Sequence, residues 1–189
     1  ALREEVFPLL VKNRPADDPI RVWVPGCSTG EEAYSIAIAL LEYLEMSGKR
    51  FELQIFGTDI SERAVEKAPA GLYESGIKSD VSEERLRRFF ERSEGGAYRI
   101  SKAVRDLCVF ARQDVTRDPP FSRLDLLSCR NMLIYLGPSI QRKVIPLFHY
   151  ALKPSGFLML GSSESVERYG SLFAPVDKTY KIYSKVPGS

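Results

Sequence analysis

The alternation of apolar and polar positions divides the chain into short strand-like runs and helical stripes. Leu2 to Val11 places Leu2, Val6, Leu9 and Leu10 on one side of a short helix. Asn13 to Pro19, with two prolines and two aspartates, is a connector. RVWVPG, Arg21 to Gly26, is a β-branched run stopped by Pro25 and Gly26. From about Gly30, the positions Ala33, Ile36, Ala37, Leu40, Leu41 and Leu44 recur at helical spacing until Ser47 and Gly48 end the stripe. FELQIFGTDI, Phe51 to Ile60, supplies a second strand, and Ser61 caps a short helix through Lys67.

The stretch from Pro69 to Ser101 interrupts this rhythm. Ser82 caps a helix whose apolar side carries Leu86, Phe89 and Phe90 and which also holds Arg85, Arg87, Arg88 and Arg92. Gly95 and Gly96 then open a hairpin with Tyr98 to Ile100 as one arm, so the segment at about 70–106 is a small insertion. The glutamates interleaved with the arginines point to a solvated helix face rather than a receptor-docking one. The rhythm resumes with LCVFARQDV (Leu107 to Val115) as a strand and LDLLSC (Leu124 to Cys129) as a fully buried strand. Ile140, Val144, Leu147, Phe148 and Ala151 mark the next helix, which Pro146 is expected to kink. A turn at Pro154 to Gly156 leads into the strand FLMLG, and FAPV and TYKIYSK form a C-terminal hairpin. Alternating strands and helices predict an α/β fold with a doubly wound, mostly parallel sheet ending in an antiparallel hairpin.

At 189 residues, 44% hydrophobic and 28% charged, the chain suits one domain with an insertion: a helix and connector over 1–19, then the sheet domain over 20–189. The longest apolar stretch, Ala33 to Leu41, is too short to span a bilayer, and the N-terminus carries no signal-like sequence. A net charge of +2 argues against a nucleic-acid partner held through phosphates. His149 is the one histidine, which excludes His-rich metal sites and leaves any Ser-His-Asp triad dependent on that residue; between Phe148 and Tyr150 it is read as packing. Cys27, Cys108 and Cys129 are odd in number and widely spaced, as expected of a reducing, cytoplasmic setting without a disulfide framework or a metal site.

In an open α/β sheet, ligands bind beyond the carboxyl ends of the strands. After the first strand comes PGCSTGEE, whose small residues allow close backbone approach and whose following helix offers amides to an anion; an ordinary strand-to-helix turn fits equally well. Asp59 after the second strand suits the two hydroxyls of a ribose, which together with the first loop favours an adenosine-containing ligand. Asp114 after the third strand is placed to receive an adenine amino group or to begin a turn before Pro119 and Pro120. Arg130 and Asn131 follow the buried fourth strand at the expected pocket mouth, where Arg130 could grip a carboxylate and the Tyr135 hydroxyl could point to the same place. Alternatively Arg130 is a surface ion-pair partner and Tyr135 a packing residue.

STGEEAYS (Ser28 to Ser35), GTDI (Gly57 to Ile60), CRNMLIYL (Cys129 to Leu136) and LKPSGFLMLGSSES (Leu152 to Ser165) occur together in this order and spacing. Over Arg21 to Ser184 the chain thereby resembles the catalytic domain of the chemoreceptor glutamate O-methyltransferases, the CheR family. The resemblance implies a Rossmann-like methyltransferase sheet, the cofactor S-adenosyl-L-methionine with S-adenosyl-L-homocysteine as product, and methyl-ester formation on glutamates of cytoplasmic receptor helices. Carried over by motif, Glu32, with Glu31, Asp59, Asp114, Val115, Arg130 and Asn131, would bind cofactor, and Arg130 and Tyr135 would lie near the transferred methyl. The family's N-terminal helical domain, whose T-x-F-F-R segment supplies another arginine, is not matched, so the chain is expected to be a fragment that depends on it for activity. Ser162 replaces the histidine of the family's GHSE, and the short SEGGA turn argues against recruitment by a receptor's C-terminal peptide. The first loop is closest to versions fused to methylesterase or sensor domains. Two other functions use the same loop and Asp59. One is a sensory or scaffolding module that binds the cofactor without transferring methyl. The other is a nicotinamide dehydrogenase, disfavoured by the absent GxGxxG.

Overall fold

The computed structural model describes residues 1–188. A π-helical turn, Leu2–Val6, runs into α1 (Phe7–Val11). The buried side of this segment is Val6, Phe7 and Leu10, whereas Leu9 is 52% exposed. Of the expected face, Val6 and Leu10 are buried and Leu2 packs partly buried against the core, so Leu9 is the one of the four that departs from it.

Strand β1 (Ile20–Pro25) leads to α2 (Glu31–Met46), β2 (Leu53–Asp59) and α3 (Glu62–Lys67). Ser61 caps α3 by accepting the Ala64 amide at 3.3 Å. The interruption folds into β3 (Leu72–Tyr73), α4 (Glu83–Phe89), β4 (Phe90–Arg92) and β5 (Tyr98–Ile100), which make a separate antiparallel sheet in the order β3-β5-β4. Ser82 caps α4 as expected, but Arg92 lies on β4 rather than in the helix. The chain continues through α5 (Lys102–Arg105), β6 (Cys108–Arg112), β7 (Leu124–Cys129), α6 (Pro138–Ala151) and β8 (Leu152–Leu160), then closes with β9 (Phe173–Asp177) and β10 (Ile182–Lys185). Helix α6 runs unbroken across the exposed Pro146. Strand β8 begins directly at Leu152: the expected turn at Pro154 to Gly156 is instead a register shift against β7, between Leu124 and Leu126.

The main sheet has the order β6-β2-β1-β7-β8-β10-β9. Strands β6, β2, β1, β7 and β8 are mutually parallel, and β10 runs antiparallel to both β8 and β9. Side chains alternate across β1. Val22 and Val24 join α1 and α2 on one face, while Trp23 joins Val144, Ile145 and Phe148 of α6 on the other. Both faces are covered, which is why LDLLSC is buried along its whole length. Strand order reverses on either side of β1, so the carboxyl ends of β1, β2 and β7 bound the crevice where such sheets bind ligands. Among the described residues no helix is long and apolar enough to cross a membrane.

Candidate functional site

The loop from Gly26 to Gly30 is shaped by backbone constraint. Gly26 and Gly30 have φ of +67° and +96°, and a Cβ on Gly30 would come within 3.0 Å of the Phe110 ring. Ser28 takes φ +50° without being glycine, and its amide donates to Asp59 Oδ2 at 2.9 Å. Asp59 Oδ1 accepts the Ser61 amide, also at 2.9 Å. Each carboxylate oxygen therefore has one backbone donor and acceptor capacity to spare. The inserted sheet reaches the same loop, for the Tyr73 hydroxyl donates to Thr29 O at 2.9 Å.

Two cavities open at this edge. One, of about 420 Å³, is lined by Asp59, Asp114, Val115, Asn131, Met132 and Tyr135, among others. The other, of about 370 Å³, is lined by Glu31, Glu32, Ser128 and Arg130, with Leu2 and Met159 among its apolar walls. All eight expected site residues border one cavity or the other, but they do not form one group. Arg130 and Tyr135 face different cavities, and Tyr135 is 82% exposed. The divergence arises at Asn131, whose φ of +58° turns the chain sharply after β7.

Glu32 is half-buried and accepts the hydroxyl of Ser128, which is itself fully buried at the end of β7. Burial raises the Glu32 carboxyl above its ordinary 4.5; the Ser128 hydroxyl and the Arg130 charge oppose that rise, and the Glu164 charge adds to it. Glu31 is exposed and accepts the Thr29 hydroxyl at 2.6 Å. Asp114 Oδ1 accepts both the amide and the hydroxyl of Thr116, at 2.9 and 2.6 Å, and these bonds hold its carboxyl below the ordinary range. Asp114 thus builds a turn and borders the cavity at once. Burial, then the Asp59 charge, pushes the Cys27 thiol up to about 12, so it offers no thiolate at neutral pH. His149 lies away from this edge, 6% exposed, with Nε2 at 2.9 Å from Val186 O and its ring against Phe173.

Sequence reasoning misses Ser128, which sits inside the buried strand LDLLSC and so carries no motif, and Glu164, which enters only as a residue of LKPSGFLMLGSSES. Glu164 is 4% exposed and accepts main-chain donors from two strand ends. It misses Gln113 as well. The buried Gln113 Oε1 has no hydrogen-bond partner among the described residues, while its Nε2 donates to Pro119 O at 2.8 Å. An unused buried acceptor, spare acceptor capacity on Asp59 and apolar walls from Val115 and Met132 together fit an adenosine group.

Six strands running one way with β10 alone reversed, between β8 and β9, and an adenosine-fitting crevice at the carboxyl edge define an S-adenosylmethionine-dependent methyltransferase fold. The crystal structure of a TehB-like SAM-dependent methyltransferase from Corynebacterium glutamicum shares it, with a TM-score of 0.50 at 12% identity over 95% of this chain and 86% of that one. Residues 1–182 match the family described as CheR methyltransferase, SAM binding domain, and the chain belongs to that family. An uncharacterized 104.1 kDa protein of Rhodobacter capsulatus is 38% identical over the whole chain, which spans 20% of its length. A Pseudomonas putida protein provisionally named methyltransferase Cher3 is 39% identical over 98% of the chain and 68% of its own length. Chemotaxis protein methyltransferase 2 of Vibrio cholerae is 31% identical over 92% of the chain and 60% of its own length.

Proposed function

We propose that this domain transfers a methyl group from S-adenosylmethionine to glutamate side chains of chemotaxis-type receptor proteins, forming glutamyl methyl esters. The observation that carries the reading is the position of Arg130, a guanidinium exposed directly after buried β7, at the cavity that also holds Glu32 and Ser128. The chemistry that S-adenosylmethionine brings is an electrophilic sulfonium methyl with a neutral thioether as leaving group. Asp59, Asp114, Val115 and Gln113 would hold its adenosine part, with Glu31, Glu32 and Asn131 as further contacts. A glutamate side chain in its ordinary range is ionised at neutral pH, so the acceptor needs no general base. That agrees with a site in which the one histidine is committed elsewhere and the nearby thiol stays protonated. Arg130 would orient the acceptor carboxylate, and such positioning accounts for up to about 7–11 kcal/mol of a barrier in favourable cases. Tyr135 would border the acceptor from the other cavity.

The test has two stages. Calorimetric titration with S-adenosylhomocysteine establishes binding, and methyl-labelled cofactor then reports base-labile label on receptor protein. Arg130→Ala is expected to lower labelling on the order of 100-fold, the scale of a misplaced reactant; normal labelling removes Arg130 from this role. A second reading, a cofactor-binding module within a larger signalling protein, is favoured by the Rhodobacter relative, of which the chain spans a fifth. Binding without any labelling selects that reading, and absence of binding removes both.

A further inference from the structure

Glu164 lies in the turn after β8, almost wholly buried, and borders neither cavity. Its Oε2 accepts the amides of Gly161 at 2.7 Å and Asn131 at 2.9 Å, and its Oε1 accepts those of Leu133 at 2.7 Å and Ile134 at 3.4 Å. One carboxylate thus ties the end of β8 to the loop leaving β7. That loop supplies walls to both cavities, through Arg130 on one and through Asn131, Met132 and Tyr135 on the other. Its path is strained at Asn131, a left-handed non-glycine residue, and strain of this kind persists only where neighbours enforce it. Gly161 is part of the same fit, since a Cβ there would lie 2.6 Å from Asn131 Oδ1 and 2.8 Å from Glu164 Oε2. Amide donors converge on both oxygens. A carboxylate satisfies them all, whereas a carboxamide would turn an NH₂ group toward two of them.

We infer that Glu164 is a positioning residue for methyl transfer: its carboxylate holds the Arg130–Tyr135 loop in the bent path that forms one wall of each cavity. This rests on the methyltransferase reading of those cavities, and it assigns Glu164 no contact with cofactor or acceptor.

The test compares Glu164→Gln with Asp125→Asn. Asp125 is a similarly buried carboxylate that accepts the Arg21 amide and pairs with Arg14 at the opposite end of β7, three residues and so about 10 Å along the strand from Ser128. Both variants are expected to melt at lower temperature than the unaltered chain. Well below those temperatures, Glu164→Gln is expected to bind S-adenosylhomocysteine at least about tenfold more weakly, and Asp125→Asn to bind within about twofold. Amide exchange at Asn131 and Leu133 should accelerate in Glu164→Gln while β7 stays protected. Affinity of Glu164→Gln within about twofold of the unaltered chain, or parallel loss in both variants, overturns the inference. If Glu164→Gln does not fold, Glu164→Asp keeps the charge with shorter reach, and unchanged affinity there overturns it equally. Failure of the unaltered chain to bind instead refutes the cofactor reading itself, and the inference with it.

Discussion

Glu32 shows how one side chain carries two demands. The second glutamate of α2 must stay near the sheet edge to border a cavity, so it is partly buried and accepts the Ser128 hydroxyl. Its carboxyl is raised above 4.5, chiefly by that burial. An acid with a raised folded pKa keeps its proton while the unfolded chain has already lost it, so stability falls as pH rises from the ordinary value through the raised one. Glu32→Gln, which cannot ionise but can still accept from Ser128, should remove that fall. Urea unfolding from about pH 4 to about pH 8 measures it, and an unchanged pH profile would show that Glu32 ionises as freely folded as unfolded.

At the scale of elements, the contact between α4 and α2 explains the arginine-rich helix. Arg85 donates to Glu42 through Nε at 2.9 Å and through a second nitrogen at 2.7 Å, and Arg88 reaches both Glu45 and Glu84. Part of the basic helix is therefore spent on docking the insertion against α2, while Arg87 remains exposed. The Arg85 hydrogen bond is the main cause holding the Glu42 carboxyl below its ordinary 4.5. A lowered folded pKa gives stability that is present above the ordinary value and is lost as pH falls through the lowered one. Glu42→Gln should therefore be less stable at neutral pH and should lose less on acidification, which thermal melts on either side of that range would show. The tyrosines complete the docking: Tyr34 donates to Ala68 O at 2.7 Å, and Tyr73 reaches the first loop. Nothing in the local pattern around Arg85 names Glu42, because the partner lies 43 residues away.

Across the whole molecule, the two ends of the sheet have different work. At the amino ends, Arg14 forms a two-pronged pair with Asp125 at 2.9 Å on both oxygens, and Lys153 reaches Asp18 and Asp125. The Arg14 and Asp125 side chains are 6% and 3% exposed. This cluster joins the connector to the starts of β7 and β8, and Asp125 also accepts the Arg21 amide at the start of β1. Asp125→Ala strips Arg14 of its main partner. Removing one member of a buried pair costs about 3–5 kcal/mol, here toward the lower end because Asp18 still pairs with Arg14 at 3.0 Å. Denaturant unfolding should show that loss, and S-adenosylhomocysteine affinity measured below the transition should be unaltered. A change in affinity would mean that the two ends are coupled.

Much of this architecture could be read from the chain alone. The period of apolar residues marked the strands and the long helices, the serine caps marked two helix starts, and the glycine pair marked the hairpin. These are local properties, set by side-chain direction and backbone freedom within a few residues. The motifs also named residues that border the crevice, because a doubly wound sheet places whatever follows its strands at one edge. Tertiary structure decided the rest. It separated Arg130 from Tyr135, seated Ser128 and the buried Gln113 oxygen at the site, and gathered four amides on Glu164. Each of these depends on groups brought together from distant parts of the chain or on a single φ at Asn131. Hydrophobic periodicity determines which elements form and which face they bury. Which polar atoms meet at the sheet edge is fixed only when strand order and loop path are fixed.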